Sequence, residues 1–157
     1  RFDNLGIPAN PQNQWYSMDS TLNPEGAAWT DPGLKGFIEL LPQYAMFADE
    51  SYGKHQAPTL RNVDKRPSEN YVKAYGHNGY FKSLEEIVHF YNTRDVLPLS
   101  KTVSEPHIGI NCWPEPEVAQ NVNVEETGNL GLTPGEESLI VEFLKTLSDG
   151  YVIDDKE

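Results

Sequence analysis

Cysteine is nearly absent from this sequence, which has Cys112 alone among 157 residues. A single cysteine cannot form a disulfide bond within the chain, so no disulfide framework stabilises it. Cys112 lies in the loop-like, proline-containing stretch NCWPEPE. Two states are compatible with that context: an unpaired thiol, or a bond to a cysteine of another chain.

Positive charge is also scarce, because 12 Lys and Arg residues face 24 Asp and Glu residues, for a formal net charge of −12. Nucleic acids are bound chiefly by cationic side chains, so they are disfavoured as partners, and anionic membrane surfaces are disfavoured for the same reason. No run of 18 apolar residues is present, so the sequence predicts no membrane span. The acidity either keeps the chain soluble or steers it toward a basic protein partner.

The motifs of common hydrolases and nucleotide-binding proteins are missing as well. The sequence has no P-loop, no G-x-G-x-x-G, no H-E-x-x-H, no zinc-ligand spacing and no G-x-S-x-G. Hydrolytic and nucleotide-dependent functions therefore have no candidate site.

Proline and glycine are abundant by contrast, with twelve of each. They predict one domain in which long irregular connections join a few helices. Residues 1–35 and 93–130 are expected to be irregular, and residues 36–48 should form a short helix that is interrupted near Pro42.

A helix is clearly predicted over residues 83–92. Ser83 and Glu86 have the spacing of a capping box, in which each residue's side chain binds the other's backbone N–H. The apolar residues then recur at helical spacing and form one face. These residues are Leu84, Ile87, Val88 and Tyr91.

A second helix is predicted over residues 133–148. Thr133 and Glu136 form another capping box, and Pro134 suits the first helical position. Its predicted apolar face is Ile140, Phe143, Leu144 and Leu147. So few helices cannot bury all their apolar faces against one another. The sequence therefore indicates that a large flat prosthetic group or a missing partner segment covers those faces.

Two polar residues next to apolar ones are candidates for a site. Tyr91 lies on the predicted buried face, where a phenol needs either a hydrogen-bond partner or a metal. Arg61 follows an apolar residue, so its guanidinium is expected to pair with a carboxylate. That carboxylate could belong to Asp64, to Asp95 or to a bound cofactor.

The four histidines differ in context. His77 lies in the tight turn GHNG, where it either binds nearby backbone or has a functional role. His89 follows Glu85 by four residues on the opposite helix face and predicts a solvated pair. His55 and His107 have no recognisable context and are expected at the surface.

Three blocks of the sequence carry a family resemblance: APTLRNV, AYGHNGYFKSLEEIVHFYN and LGLTPGEESLIVEFLKTLS. In order and spacing they resemble the C-terminal haem domain of bacterial di-haem cytochrome c peroxidases and the related MauG-type enzymes. The opening RFDNLGIPANP is similar to the segment that follows the haem-attachment motif in the family. The resemblance covers nearly the whole chain and implies a mainly α, cytochrome c-like, loop-rich fold over residues 1–157.

The resemblance also implies a haem site. Peroxidase members bind the haem iron through a Met fourteen residues after a histidine, and MauG-type members have Tyr there; counting from His77 leads to Tyr91. A phenolate ligand favours ferric iron and higher oxidation states. The implied cofactor-binding residues are Tyr91, His77, Arg61, Asn62, Leu60 and Thr59.

Calcium is a second implied ligand, bound through the backbone carbonyls of Val72 and Ala74. The sequence departs from the family here, since Ala74 replaces the usual proline and Gly76 replaces the usual aromatic residue. The larger departure is the missing C-x-x-C-H motif, which supplies the covalent haem attachment and the proximal histidine. It would be expected before Arg1, so the chain is a fragment, a separate partner half, or a domain that has lost haem.

The expected function is therefore periplasmic haem c redox chemistry of the peroxidase/MauG type, with the peroxide-cleaving residues outside this chain. The expected partners are a haem-bearing N-terminal segment or subunit and a redox protein that donates or accepts electrons. Two alternatives remain: a non-catalytic multihaem electron-transfer cytochrome, and a haem-free interaction module that keeps the fold.

Overall fold

Helix α2 spans Leu84–Thr93 in the computed structural model, which describes residues 1–68 and 70–150. Ser83 Oγ accepts a hydrogen bond from Glu86 N at 3.1 Å, and Glu86 Oε2 accepts one from Ser83 N at 3.2 Å. The predicted capping box is confirmed. These two bonds satisfy backbone donors that the first helical turn leaves without partners.

Helix α3 spans Pro134–Thr146 and begins in the same way. Thr133 Oγ1 accepts from Glu136 N at 3.3 Å, and Glu136 Oε2 accepts from Thr133 N at 2.8 Å. Pro134 occupies the first turn, where its missing N–H costs nothing. The second predicted capping box is also confirmed, and the helix ends two residues before the predicted limit.

The remaining regular structure is short. Helix α1 covers only Lys35–Ile38, and strands β1 (Phe2–Asp3) and β2 (His55–Gln56) form one antiparallel pair. Single 3-10 turns lie at Gln14–Ser17, Gly26–Ala28, Ala45–Phe47, Asp49–Ser51 and Ser100–Thr102. The loop-rich architecture is confirmed, and helices occupy less of the chain than "mainly α" implies. Among the described residues, no helix is long and apolar enough to cross a membrane.

The hydrophobic core surrounds α2. Phe90, which the predicted apolar face did not include, is fully buried, and its ring packs edge-on against Trp113 at 5.0 Å. Trp113 Nε1 donates to Thr93 Oγ1 at 3.0 Å, which fixes the ring on the last turn of the helix. The core cluster comprises Ile7, Tyr75, Phe81, Leu84, Ile87, Val88, Phe90, Trp113 and Val141.

Helix α3 buries less of its surface than the periodicity predicted. Val141, outside the predicted face, is its one buried residue, while Phe143 of that face is 59% exposed. Leu139 is 70% exposed on the same helix. The helix packs along α2 on one side, and no other helix or strand of the described residues packs against it.

Arg94, at the end of α2, binds the long loop to the start of the chain. Its buried guanidinium donates to Leu5 O at 2.7 Å, to Asn123 O at 2.8 Å and to Thr127 O at 2.9 Å. It also forms an ion pair with Asp95 at 2.6 Å. Residues far apart in sequence thus share one cation, which orders a loop that has no regular structure of its own.

The lone cysteine is fully buried and unpaired. Of the two states that the sequence allows, the unpaired thiol is the one that agrees with this buried position. Because the sulfur is out of contact with solvent, a bond to another chain would require this loop to open.

Candidate functional site

Tyr91 lies in the last turn of α2, on the face that carries the buried Leu84, Ile87 and Val88. Its side chain is partly buried, and its hydroxyl has no hydrogen-bond partner among residues 1–68 and 70–150. Burial raises the pKa of Tyr91 to about 12, so the phenol is neutral near pH 7. Within the described residues, Tyr91 is therefore not the hydrogen-bonded core tyrosine that the sequence allowed.

Large apolar side chains are exposed on α3 and on the loop that precedes α2. Leu139 and Phe143 lie one helical turn apart, and Leu60 is 50% exposed. Tyr71 and Val72 are exposed at 49% and 66%. Large exposed apolar groups mark places where a ligand or another protein segment binds.

Arg61 pairs with a carboxylate, as predicted, but the partner is Asp149. Arg61 Nε donates to Asp149 Oδ1 at 3.2 Å, and Nη2 donates to Oδ2 at 3.0 Å. Asp64 is paired instead with Arg66 at 3.1 Å, and Asp95 with Arg94. The guanidinium of Arg61 remains 71% exposed, and its Nη1 has no partner in the described part of the chain.

The neighbouring residues of the Arg61 loop are open to solvent. Asn62 adopts a left-handed backbone with φ of 61° and donates from Nδ2 to Asp149 Oδ2 at 3.1 Å. Thr59 Oγ1 accepts a hydrogen bond from Arg61 N at 3.2 Å. The Leu60 side chain is apolar and makes no hydrogen bond. The loop thus presents its guanidinium and one exposed leucine on the surface.

His77 binds a buried carboxylate rather than nearby backbone. Its Nε2 lies 2.9 Å from Glu117 Oε2, and the Glu117 side chain is only 2% exposed. Glu117 also accepts from Asn78 Nδ2 at 2.8 Å, from Asp31 N at 3.2 Å and from Tyr16 Oη at 3.3 Å. Burial raises the pKa of Glu117, but these hydrogen bonds outweigh it and hold that pKa below its ordinary value.

Two of the other histidines are placed differently from the prediction. His55 is half-buried, and its ring stacks on that of His77 with centroids 3.9 Å apart and planes within 8°. His89 binds Glu137 at 3.0 Å across the α2–α3 contact, instead of Glu85 on its own helix. His107 is exposed, as predicted.

The backbone around the proposed calcium position is accessible. Val72 and Ala74 are both exposed, and neither carbonyl oxygen accepts a backbone hydrogen bond from the described residues. Oxygen atoms without donors are suitable ligands for a hard cation.

Comparison with known proteins relates this chain to a family. The chain is 30% identical over 154 residues to the methylamine utilization protein MauG of Paracoccus denitrificans. It is 26% identical over 158 aligned positions to the cytochrome-c peroxidase IdrP1 of Denitromonas iodatirespirans. The chain is related to the di-haem cytochrome c peroxidase and MauG family. No protein-family profile matches it.

Both alignments include nearly all of this chain but only part of each relative. Each covers 94% of this chain and 33% of the relative, so the chain spans about one third of the length of the curated relatives it matches. The predicted resemblance to this peroxidase/MauG family is thereby confirmed.

Two cavities of the chain lie away from Tyr91 and Arg61. One, of about 400 Å³, is lined by Trp15, Leu22, Asn23, Pro24, Glu25, Trp29, Thr30, Pro32 and Tyr52. Another, of about 360 Å³, is lined by Tyr80, Phe81, Glu86, His89, Ile108, Gly109 and Trp113. A group bound at Tyr91 would therefore rest on an open surface rather than inside either cavity.

Sequence reasoning missed Glu117 and its neighbour Asp31. Asp31 and Glu117 are 86 residues apart, and Glu117 and His77 are 40 residues apart. In PEPEV nothing local distinguishes Glu117 from the exposed Glu115. No signal in the sequence could have identified it.

Proposed function

We propose that this chain is part of a periplasmic haem c redox protein of the di-haem peroxidase/MauG type, and that it supplies the distal side of a haem pocket with Tyr91 as axial ligand. The observation that carries the proposal is the Tyr91 phenol, which is partly buried and has no hydrogen-bond partner among the described residues. The oxygen is not closed off from solvent, because Trp15 Nε1 is the one fully buried side-chain polar atom without a partner in the described residues. An accessible phenol oxygen at the edge of an apolar helix face can be reached by a metal ion.

Exposed groups on α3 and on the Arg61 loop have the chemical character that a haem requires. A porphyrin needs apolar contacts for its faces and cationic groups for its propionates. Leu60, Leu139 and Phe143 are large, apolar and exposed. The Arg61 guanidinium binds Asp149, and its Nη1 has no partner within residues 1–68 and 70–150. Together with Asn62 and Thr59, these groups would hold the macrocycle from this side.

Tyr91 would have to lose its proton to bind iron as a phenolate. In the chain alone, burial raises the pKa of Tyr91 to about 12, so the phenolate needs a nearby positive charge to form at neutral pH. A ferric haem would supply that charge, and Tyr91 would hold it as a phenolate. When bound, the haem supplies one-electron redox chemistry whose potential depends on the axial ligand.

The covalent attachment must come from elsewhere, since the single cysteine cannot form a C-x-x-C-H motif. A haem-bearing segment or subunit outside this chain would provide the thioether bonds and the proximal histidine. It would also cover the exposed Leu139 and Phe143. His77 would lie near the haem edge, and the carbonyls of Val72 and Ala74 would bind calcium.

The whole protein would act as a peroxidase/MauG-like oxidoreductase, with the peroxide-cleaving residues outside this chain. The relatives are named as a cytochrome-c peroxidase and a methylamine utilization protein. The net charge of −12 favours a basic redox protein as electron donor or acceptor.

The test of the ligand is Tyr91→Phe in the haem-loaded native protein, with Tyr44→Phe as matched control. Tyr44 is 50% exposed and lies outside the proposed site. Removing the Tyr91 oxygen should change the spin state and coordination of the iron in optical and electron paramagnetic resonance spectra. The control should leave both spectra unchanged. An unaltered spectrum in Tyr91→Phe would remove this residue from the iron.

The test of the function is haem content followed by peroxide turnover. A pyridine haemochrome assay with intact mass shows whether the native protein carries haem c; its absence would leave the haem-free interaction module. With haem present, hydrogen peroxide should drive oxidation of an added redox protein. Haem without turnover would favour the electron-transfer cytochrome.

A further inference from the structure

A cluster of side chains with metal-ligand atoms does not include Tyr91 and contains His77, which the proposed function places near the haem edge. Asp31, His55 and His77 each offer a ligand atom, and these atoms all lie within 4.8 Å of one another. They come from three separate segments: the loop before α1, strand β2 and the GHNG turn. We propose that Asp31, His55 and His77 bind a divalent first-row transition metal, for which Zn²⁺ is the probe.

The side chain of His55 is available to bind a metal. It is half-buried, and its ring nitrogens have no hydrogen-bond partner in the described ranges. Burial and the neighbouring His77 lower the pKa of His55, which favours the neutral form that binds metals. Two imidazoles stacked at 3.9 Å do not readily both carry a proton charge, and one ring must turn out of the stack before both lone pairs meet at one cation.

Glu117 orients the second imidazole. The carboxylate of Glu117 accepts a hydrogen bond from His77 Nε2 at 2.9 Å, so the proton lies on Nε2 and the lone pair lies on Nδ1. Metal-binding histidines commonly donate their other ring N–H to a carboxylate in this way. The same Glu117 accepts from the backbone N–H of Asp31 at 3.2 Å, which links two of the three proposed ligands.

Asp31 would be the third ligand of the proposed metal site. One of its oxygens, Oδ1, accepts from Gly33 N at 2.9 Å, and the other has no donor in the described residues. Metal–nitrogen and metal–oxygen bonds are about 2.0–2.2 Å long, so ligand atoms in a site lie roughly 3–4 Å apart. Rotation of the His55 ring out of its stack on His77, with a small shift of Asp31, would bring the three ligand atoms to that spacing.

The chemical types of the three proposed ligands determine which metals the site prefers. Two neutral imidazoles and one carboxylate suit Zn²⁺, Cu²⁺, Ni²⁺ or Fe²⁺, whereas Ca²⁺ and Mg²⁺ prefer oxygen ligands only. Three protein ligands leave a position open for water or another small ligand. This site is therefore distinct in chemistry from the calcium position proposed at Val72 and Ala74.

The experiment is titration of the chelator-treated native protein with Zn²⁺ by calorimetry, comparing His55→Ala with His107→Ala. His107 is an exposed histidine outside the cluster and controls for adventitious binding. We expect one saturable site, at least tenfold weaker in His55→Ala and unchanged in His107→Ala. With Cu²⁺, electron paramagnetic resonance should show coupling to two imidazole nitrogens, and to one in His55→Ala.

Two results would contradict the proposed metal site. Absence of saturable binding, or equal affinity in His55→Ala and the wild type, would overturn the proposal. Haem content measured on the same samples separates this site from the proposed function. His55→Ala should retain its haem and lose Zn²⁺ affinity; loss of haem in that variant would assign His55 to the haem site instead. Zn²⁺ binding in a haem-free protein would refute the proposed function alone.

Discussion

Asn62 and Asp149 bind each other through two hydrogen bonds. The backbone N–H of Asp149 donates to Asn62 Oδ1 at 2.7 Å, and Asn62 Nδ2 donates to Asp149 Oδ2 at 3.1 Å. Asn62 N also donates to Leu147 O at 2.9 Å, at the end of α3. This pairing fixes the loop that carries Arg61 to the C-terminal end of α3, so the two parts of the proposed haem surface depend on one asparagine.

Replacement of Asn62 should therefore destabilise the protein by two separable mechanisms. Asn62→Ala loses the side-chain hydrogen bonds and puts alanine, which tolerates the left-handed region less well than asparagine, at φ of 61°, for a total of about 2 kcal/mol. Asn62→Gly loses only the hydrogen bonds, about 1 kcal/mol. Urea unfolding monitored by tryptophan fluorescence measures both. Equal stability of the alanine variant and the wild type would contradict the proposed role.

Glu117→Gln should cost about 2 kcal/mol of unfolding free energy at pH 7, because the buried amide cannot accept from all four donors that now bind the carboxylate. Glu115→Gln is the matched control, since Glu115 is 59% exposed two residues away. Its effect should stay within about 0.5 kcal/mol. Similar losses in both variants would show that burial of Glu117 does not matter.

Acid should destabilise the protein in two stages. Burial and His77 lower the pKa of His55 below 6.5, so its contribution to stability is complete above pH 6.5 and is lost as pH falls. Hydrogen bonding holds the pKa of Glu117 below 4.5 despite its burial, so its contribution is lost below pH 4.5. Unfolding free energies measured from pH 8 to pH 3 should show both losses. His55→Asn should lack the first loss. Glu117→Gln should show a smaller second loss, since other carboxyls with lowered pKa values also contribute there. Parallel curves for all three proteins would be inconsistent with this assignment.

Alkali should act through Tyr91. Burial raises its pKa from 10.0 to about 12, so the stability it contributes is complete below pH 10 and is lost as pH rises through 12. Between pH 8 and pH 11, Tyr91→Phe should gain about 1.4 kcal/mol relative to the wild type, because only the unfolded wild type ionises this phenol there. Urea unfolding of the haem-free chain at both pH values measures the difference. A constant difference would mean that Tyr91 titrates like a solvated phenol.

Truncation of side chains on the two faces of α3 should lower the unfolding free energy by different amounts. Val141 is 3% exposed, so Val141→Ala should lower the unfolding free energy by about 2 kcal/mol. Phe143 is 59% exposed, so Phe143→Ala should change it by less than about 0.5 kcal/mol. Haem loading is expected to fall in Phe143→Ala if this face covers the cofactor. A large stability loss in Phe143→Ala of the isolated chain would place that ring in the core.

Sequence alone determined where the long helices begin and which family the chain resembles. The capping boxes of Ser83 with Glu86 and Thr133 with Glu136 join residues three positions apart, so local spacing is sufficient to predict them. The periodicity that placed Tyr91 on the inner face of α2 is local in the same sense.

Tertiary structure decided everything that depends on partners distant in the chain. Arg61 and Asp149 are 88 residues apart, and His77 and Glu117 are 40 apart. The stacking of His55 on His77 likewise requires a strand and a turn from different segments. Irregular loops have no repeat that fixes which side chains meet, because their paths follow from packing against the core rather than from a helical or strand period.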